Sequence, residues 1–131
     1  PFKVLFSPTP IVGPDRANKR DNHSNRNWTY EGDELRKFCS ANNVIVISGD
    51  RHWQYHSIDE QTGLHEFSSG ATSKAHAGGF SLDLRTEEHQ YLAIIGGFLS
   101  GEINPGVDSN QLTLRHHNVD GSVAYEYTYS R

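Results

Sequence analysis

The chain has 131 residues, of which 34% are hydrophobic, enough for one ordinary domain with a modest core. Its 12 Lys and Arg against 16 Asp and Glu give a formal charge of −4, which argues against a nucleic-acid or anionic-membrane partner. No apolar run approaches the roughly 20 residues of a membrane span, no secretory signal opens the chain, and the single Cys39 excludes an internal disulfide framework.

Residues 2–6 read as a short buried strand that stops at Ser7-Pro8-Thr9-Pro10, where two prolines prevent further pairing. Residues 11–27 form a loop of Asn, Gly, Pro and mixed charge. Within it, Asp21 or His23 is a candidate contact to metal or substrate, and a self-capping Asx turn is the alternative. Thr29 is the expected N-cap of a helix over 30–41, favoured by Glu31, Asp33 and Glu34 near its start. Leu35, Phe38 and Cys39 fall at i, i+3 and i+4 and define its packing face, which makes Cys39 a buried structural thiol. Residues 44–47 are an unbroken apolar, mostly β-branched run, the pattern of a strand covered on both faces. Strand, helix and strand make a βαβ crossover.

Further along, residues 54–58 and 64–68 flank a five-residue Gly-containing loop and read as a hairpin. Residues 70–90 read as a long loop in which His76 is a candidate contact or an exposed polar residue. Residues 91–99 read as one strand, bulged at Gly96-Gly97. A last hairpin turns at Asn118-Val119-Asp120-Gly121. Its Tyr125, Tyr127 and Tyr129 recur at period two and read as packing, with a stacking platform as the alternative. His116-His117 reads as a partly exposed strand end. The fold class expected is therefore α/β or α+β, one βαβ unit followed by antiparallel hairpins.

The chemistry concentrates where the 44–47 strand ends, at Ser48-Gly49-Asp50-Arg51-His52-Trp53. Ligands of open α/β folds bind beyond the carboxyl ends of strands. A carboxylate oxygen on Asp50 and an imidazole nitrogen on His52 form half of a metal site there, or else a turn carboxylate beside a hydrogen-bonded histidine. In an extended chain Arg51 points to the opposite side, as a surface or supporting charge. It could instead clamp a phosphate, since a guanidinium matches two phosphate oxygens. Trp53 would line or support the site.

That hexapeptide resembles the GD-x-H-W segment of PhoD-like (alkaline phosphatase D type) metallophosphatases, relatives of the calcineurin-like phosphoesterases. Lys19-Arg20-Asp21-Asn22-His23, Glu31-Gly32-Asp33-Glu34-Leu35-Arg36, Glu66-Phe67-Ser68-Ser69-Gly70 and Gly96-Gly97-Phe98-Leu99 resemble the same family's C-terminal portion, in the expected order and over most of the chain. The resemblance implies part of a metallophosphoesterase β-sandwich and hydrolysis of phosphomonoesters or phosphodiesters. It implies Asp50 and His52 as catalytic metal ligands, iron with calcium as the metal set, and a periplasmic or secreted location, and it favours Asp21 or His23 as a metal or substrate contact, with Arg51 beside them as the candidate phosphate clamp. Two ligands cannot hold a dinuclear centre, and this family's other ligands lie upstream of the residues present. Met is absent and the chain begins at Pro1. The expected partners are therefore a small phosphate ester and an N-terminal remainder of the same enzyme, which would also cover a sheet face that the one helix leaves bare. The rival reading is a non-catalytic, β-rich binding or accessory module that uses the tyrosine-bearing sheet.

Overall fold

Val44 to Ile47 are mostly β-branched, stiff at χ1 and suited to a pleated backbone. In a computed structural model describing residues 1–106 and 109–131 they open β2 (Val44–Ser48). β1 (Lys3–Ser7) runs parallel to β2, with Leu5 opposite Val46. Parallel neighbours need a long connection, and α1 (Thr29–Ala41) lies on it, giving the expected crossover unit. Thr29 is the first helical residue and not the N-cap. The 3₁₀ turn Arg26–Trp28 runs straight into the helix, and the Thr29 hydroxyl bonds back to the Arg26 carbonyl at 2.9 Å.

β3 (Gln54–Ile58) and β4 (His65–Ser69) form the predicted hairpin. β4 returns between β2 and β3, parallel to the former and antiparallel to the latter, and β5 (His89–Ala93) pairs outside β3. The first sheet therefore has the order β1-β2-β4-β3-β5. β6 (Gly97–Asn104), β7 (Gln111–Asn118) and β8 (Val123–Ser130) make a second, antiparallel sheet. Among the described residues the fold is mixed α+β, with one α-helix and two sheets, and no helix is long and apolar enough to cross a membrane.

The expected single strand over 91–99 is two strands in different sheets. Gly96 and Gly97 make the crossing possible: a Cβ on Gly96 would meet the Ser73 backbone, and one on Gly97 would meet the His117 carbonyl. The sheet face expected to be bare is also covered. Val46 and Leu64 pack under α1 with Cys39, Ile11 and Val12. On the opposite face, Ile45 and Phe67 pack against Leu112 and Leu114 of β7, with Tyr127 and Tyr129 of β8 alongside. Period-two alternation in the C-terminal hairpin gives it an apolar side, and that side is the second cover. His116 shares this side and is fully buried, not a partly exposed strand end. Its Nε2–H donates to the Ser68 carbonyl at 2.9 Å. Phe38, expected on the packing face of α1, is 64% exposed, because the helix meets the sheet through Leu35 and Cys39. β1 is an edge strand, with Phe6 76% exposed instead of interior.

Candidate functional site

Ser7, Ser48 and Ser68 lie side by side near the carboxyl ends of the three parallel strands β1, β2 and β4. The segment from Gly49 to Trp53 crosses this end on its way from β2 into β3. Gly49 N–H donates to the Ser7 carbonyl at 3.1 Å and ties the exit of β2 to β1. Arg51 N–H then donates to the Gly49 carbonyl at 2.8 Å, closing a three-residue turn with Asp50 at its apex and φ of 67°. A positive φ is uncommon outside glycine, and in a turn this tight it marks a position held by its surroundings.

The turn redirects the side chains. Arg51 does not project to the surface as an extended chain would place it: its side chain is 1% exposed. Its Nη2 bonds Asp15 at 2.7 Å and Asp21 at 2.9 Å, and its Nη1 bonds Asp50. Burial opposes the Arg51 charge, but Asp15 and Asp21 outweigh it and hold the guanidinium more firmly protonated. For Asp21, slight burial is outweighed by Arg51, Asn22 and Lys19, so its carboxyl sits below the usual range. Asn22 bonds both Asp15 and Asp21, at 2.8 and 2.9 Å, and fixes their spacing.

Asp50 and His52 line one cavity of about 280 Å³, together with Arg16, Lys19, Arg51 and Trp53. Trp53 is buried at 1% exposure, stacked on Phe80 with ring centroids 4.7 Å apart, and the Arg16 guanidinium sits 5.2 Å above its ring. Asp21 reaches this cluster through Arg51. His23 does not: it pairs with Glu31 at 3.3 Å in the neighbouring cleft formed with Trp28. His76 is exposed and bonds Ser73. A larger groove of about 620 Å³ opens between the sheets, but its lining, including Val4, Phe6, Ile47 and Leu112, has no titratable side chain.

The chemistry of the small cavity suits a metal in part. Asp50 offers an oxygen and His52 a nitrogen from one wall, while among the described residues no three His, Cys, Asp or Glu side chains come together to hold an ion. Two donors fit as part of a centre, and the other ligands would have to come from elsewhere.

Sequence reasoning gave no role to Asp15, Arg16, Lys19 or Glu66, although Lys19 and Glu66 open two of the segments that carry the resemblance. Glu66 has no exposed surface. It accepts the backbone N–H groups of Ile11, Val12 and Gly13 and the Tyr55 hydroxyl, the last at 2.9 Å. Burial pushes its carboxyl up, against the pull of these donors. Glu66 thereby anchors the loop that delivers Asp15 and Arg16. A lone carboxylate between His65 and Phe67 in a strand was the available signal, but the backbone amides it holds lie more than fifty residues away. No protein-family model matches the chain, and no curated protein matches it.

Proposed function

We propose that this chain carries part of the active site of a metal-dependent phosphoric ester hydrolase of the PhoD-like type, with Asp50 and His52 as metal ligands. The observation that supports it best is the strained Asp50 turn at the carboxyl ends of three strands, which sets the carboxylate and His52 on the same small cavity. A bound metal would supply neutralisation of the phosphoryl oxygens and a lowered pKa for a bound water. The chain's own contribution is positional. Arg51, itself fixed by Asp15 and Asp21, holds the Asp50 carboxylate in place. Iron with calcium, and an extracytoplasmic location, go with this reading through the sequence resemblance alone.

The remaining ligands would come from an upstream segment of the same enzyme. Among the described residues β1 is an edge strand, and its exposed Val4 and Phe6 beside the apolar groove support such a neighbour. The rival binding-module reading has a weaker basis, because the tyrosines it needs are engaged internally. Tyr125 bonds His56 at 2.9 Å, and Tyr127 and Tyr129 pack on Phe67.

The test is hydrolysis of p-nitrophenyl phosphate and bis(p-nitrophenyl) phosphate, with metal content measured on the same samples. The 131-residue chain alone should be inactive, and the longer chain containing it active. In that longer chain Asp50→Asn and His52→Ala should each lower turnover beyond the roughly 10–100-fold that a ligand's outer partners cost, and lower bound metal. Near-normal turnover and metal content in both variants would remove Asp50 and His52 from the site.

A further inference from the structure

We infer that Arg16 and Lys19, with the indole N–H of Trp53, form a seat for a tetrahedral oxyanion beside Asp50 and His52, and that this seat takes the phosphoryl group of the ester. The inference rests on the hydrolase reading for its substrate, but its evidence is separate. Three buried N–H groups belonging to residues that line the cavity, Arg16 Nε, Arg51 Nε and Trp53 Nε1, have no hydrogen-bond partner among the described residues. Buried donors are almost always paired, so three orphans on residues that wall one small cavity point to an acceptor-rich ligand beside them. The one unpartnered acceptor nearby, Asp15 Oδ1, lies 3.7 Å from Arg16 Nε, too far for a hydrogen bond.

Arg16 is also pre-positioned. Its guanidinium lies over the Trp53 ring, and a side chain on Gly79 would bring a Cβ within 3.1 Å of its Nη1. Gly79 has φ of +82°, and the adjacent Gly78 N–H is tied to the His52 carbonyl at 2.9 Å. The glycine turn is thus tied to His52 and leaves room for Arg16 beside it. An aromatic face and a glycine wall hold the planar fork, and the Asp15 carboxylate pairs with it only loosely, 3.7 Å from Nε. Asp15 is buried behind Arg51, whereas the Arg16 and Lys19 side chains remain about a third open, at 31% and 34%. Lys19 pairs loosely with Asp21 at 3.9 Å, so its ammonium can turn to an incoming anion. The carboxylate on the same wall, Asp50, is held by Arg51.

The experiment titrates inorganic phosphate into the ¹⁵N-labelled 131-residue chain at constant ionic strength. It follows the Arg16 Nε–H and Trp53 Nε1–H resonances. Saturable shifts at both are expected, with binding weakened roughly tenfold or more in Arg16→Gln, the size of one charge-assisted hydrogen bond, and also weakened in Lys19→Gln. Arg16→Lys should restore only part, since charge returns without the fork. Asp50→Asn should still bind. Shifts that rise linearly with phosphate, or that persist in Arg16→Gln and vanish in Asp50→Asn, overturn the seat. Hydrolysis by the longer metal-loaded chain separates the two claims. A higher KM with little change in kcat in Arg16→Gln supports the seat. Active enzyme with KM unchanged in both Arg16→Gln and Lys19→Gln removes the seat and leaves the hydrolase. Saturable, Arg16-dependent phosphate binding with no hydrolysis keeps the seat and removes the hydrolase.

Discussion

Taking away the Arg51 guanidinium would leave Asp15, with a side chain 1% exposed, as a buried charge facing only the more distant Arg16, 3.7 Å away. Breaking a buried pair from one side costs about 3–5 kcal/mol. Arg51→Met should therefore lose stability of that order in urea unfolding, and adding Asp15→Asn should recover part of the loss because the stranded charge is gone. Asp50 behaves differently. It is half-exposed, and Asn tolerates the same left-handed backbone, so Asp50→Asn should leave the fold intact and report on chemistry alone. At this scale the sequence made Asp50 and His52 legible, because strand end, glycine and two donors sit together in nine residues. The direction of Arg51 was not legible. Alternation along a strand predicts the opposite face, and one positive φ at Asp50 cancels the rule.

The strands that meet between the two sheets carry an unusual number of imidazoles. His56 of β3 is buried, with Nδ1 2.9 Å from the Tyr125 hydroxyl and Nε2 2.9 Å from His65 Nδ1 of β4. His116 of β7 comes in from the other sheet, and His89 opens β5. Burial pulls His56 down to about 3 and His116 and His89 to about 4, and lowers His65 as well. An unfolded histidine protonates near 6.5. Between pH 6.5 and 4 the unfolded chain therefore binds more protons than the folded one, and stability falls as pH drops through that window. Each of the three most depressed imidazoles should cost roughly 2 kcal/mol at pH 5. Glu66 and Glu88, raised by burial, act in the opposite sense above their ordinary 4.5 and are outnumbered. Urea midpoints at pH 7.5, 6 and 5 should fall steadily. A flat profile would mean these imidazoles are solvated. The C-terminal hairpin itself was readable from its alternation and its Asp-Gly turn. The inward, paired state of His116 was not, because its partner carbonyl is on a strand 48 residues earlier.

Across the whole molecule, the mixed α+β class and the crossover unit could be read from apolar runs, the helical face and the prolines. The closure of one sheet on the other could not, since it depends on the Gly96–Gly97 crossing, which looks like a bulge in one dimension. Glu66 has a bearing on when the site forms. The amides it holds at residues 11–13 are 53 to 55 positions away along the chain, so that contact waits for β4 to pair with β2. Non-local contacts of this kind are the slow ones. Asp15 and Arg16 follow one residue after those amides, so the cavity is expected to form late in folding and not as a preformed loop. In pulse-labelled hydrogen exchange, the Ile11, Val12 and Gly13 amides should gain protection together with the β4 amides and no earlier. In Glu66→Gln, whose amide group is a weaker acceptor, they should exchange faster while β2 stays protected. Protection at residues 11–13 that precedes β4 would mean the loop orders itself, and that the site is assembled before the sheet beneath it.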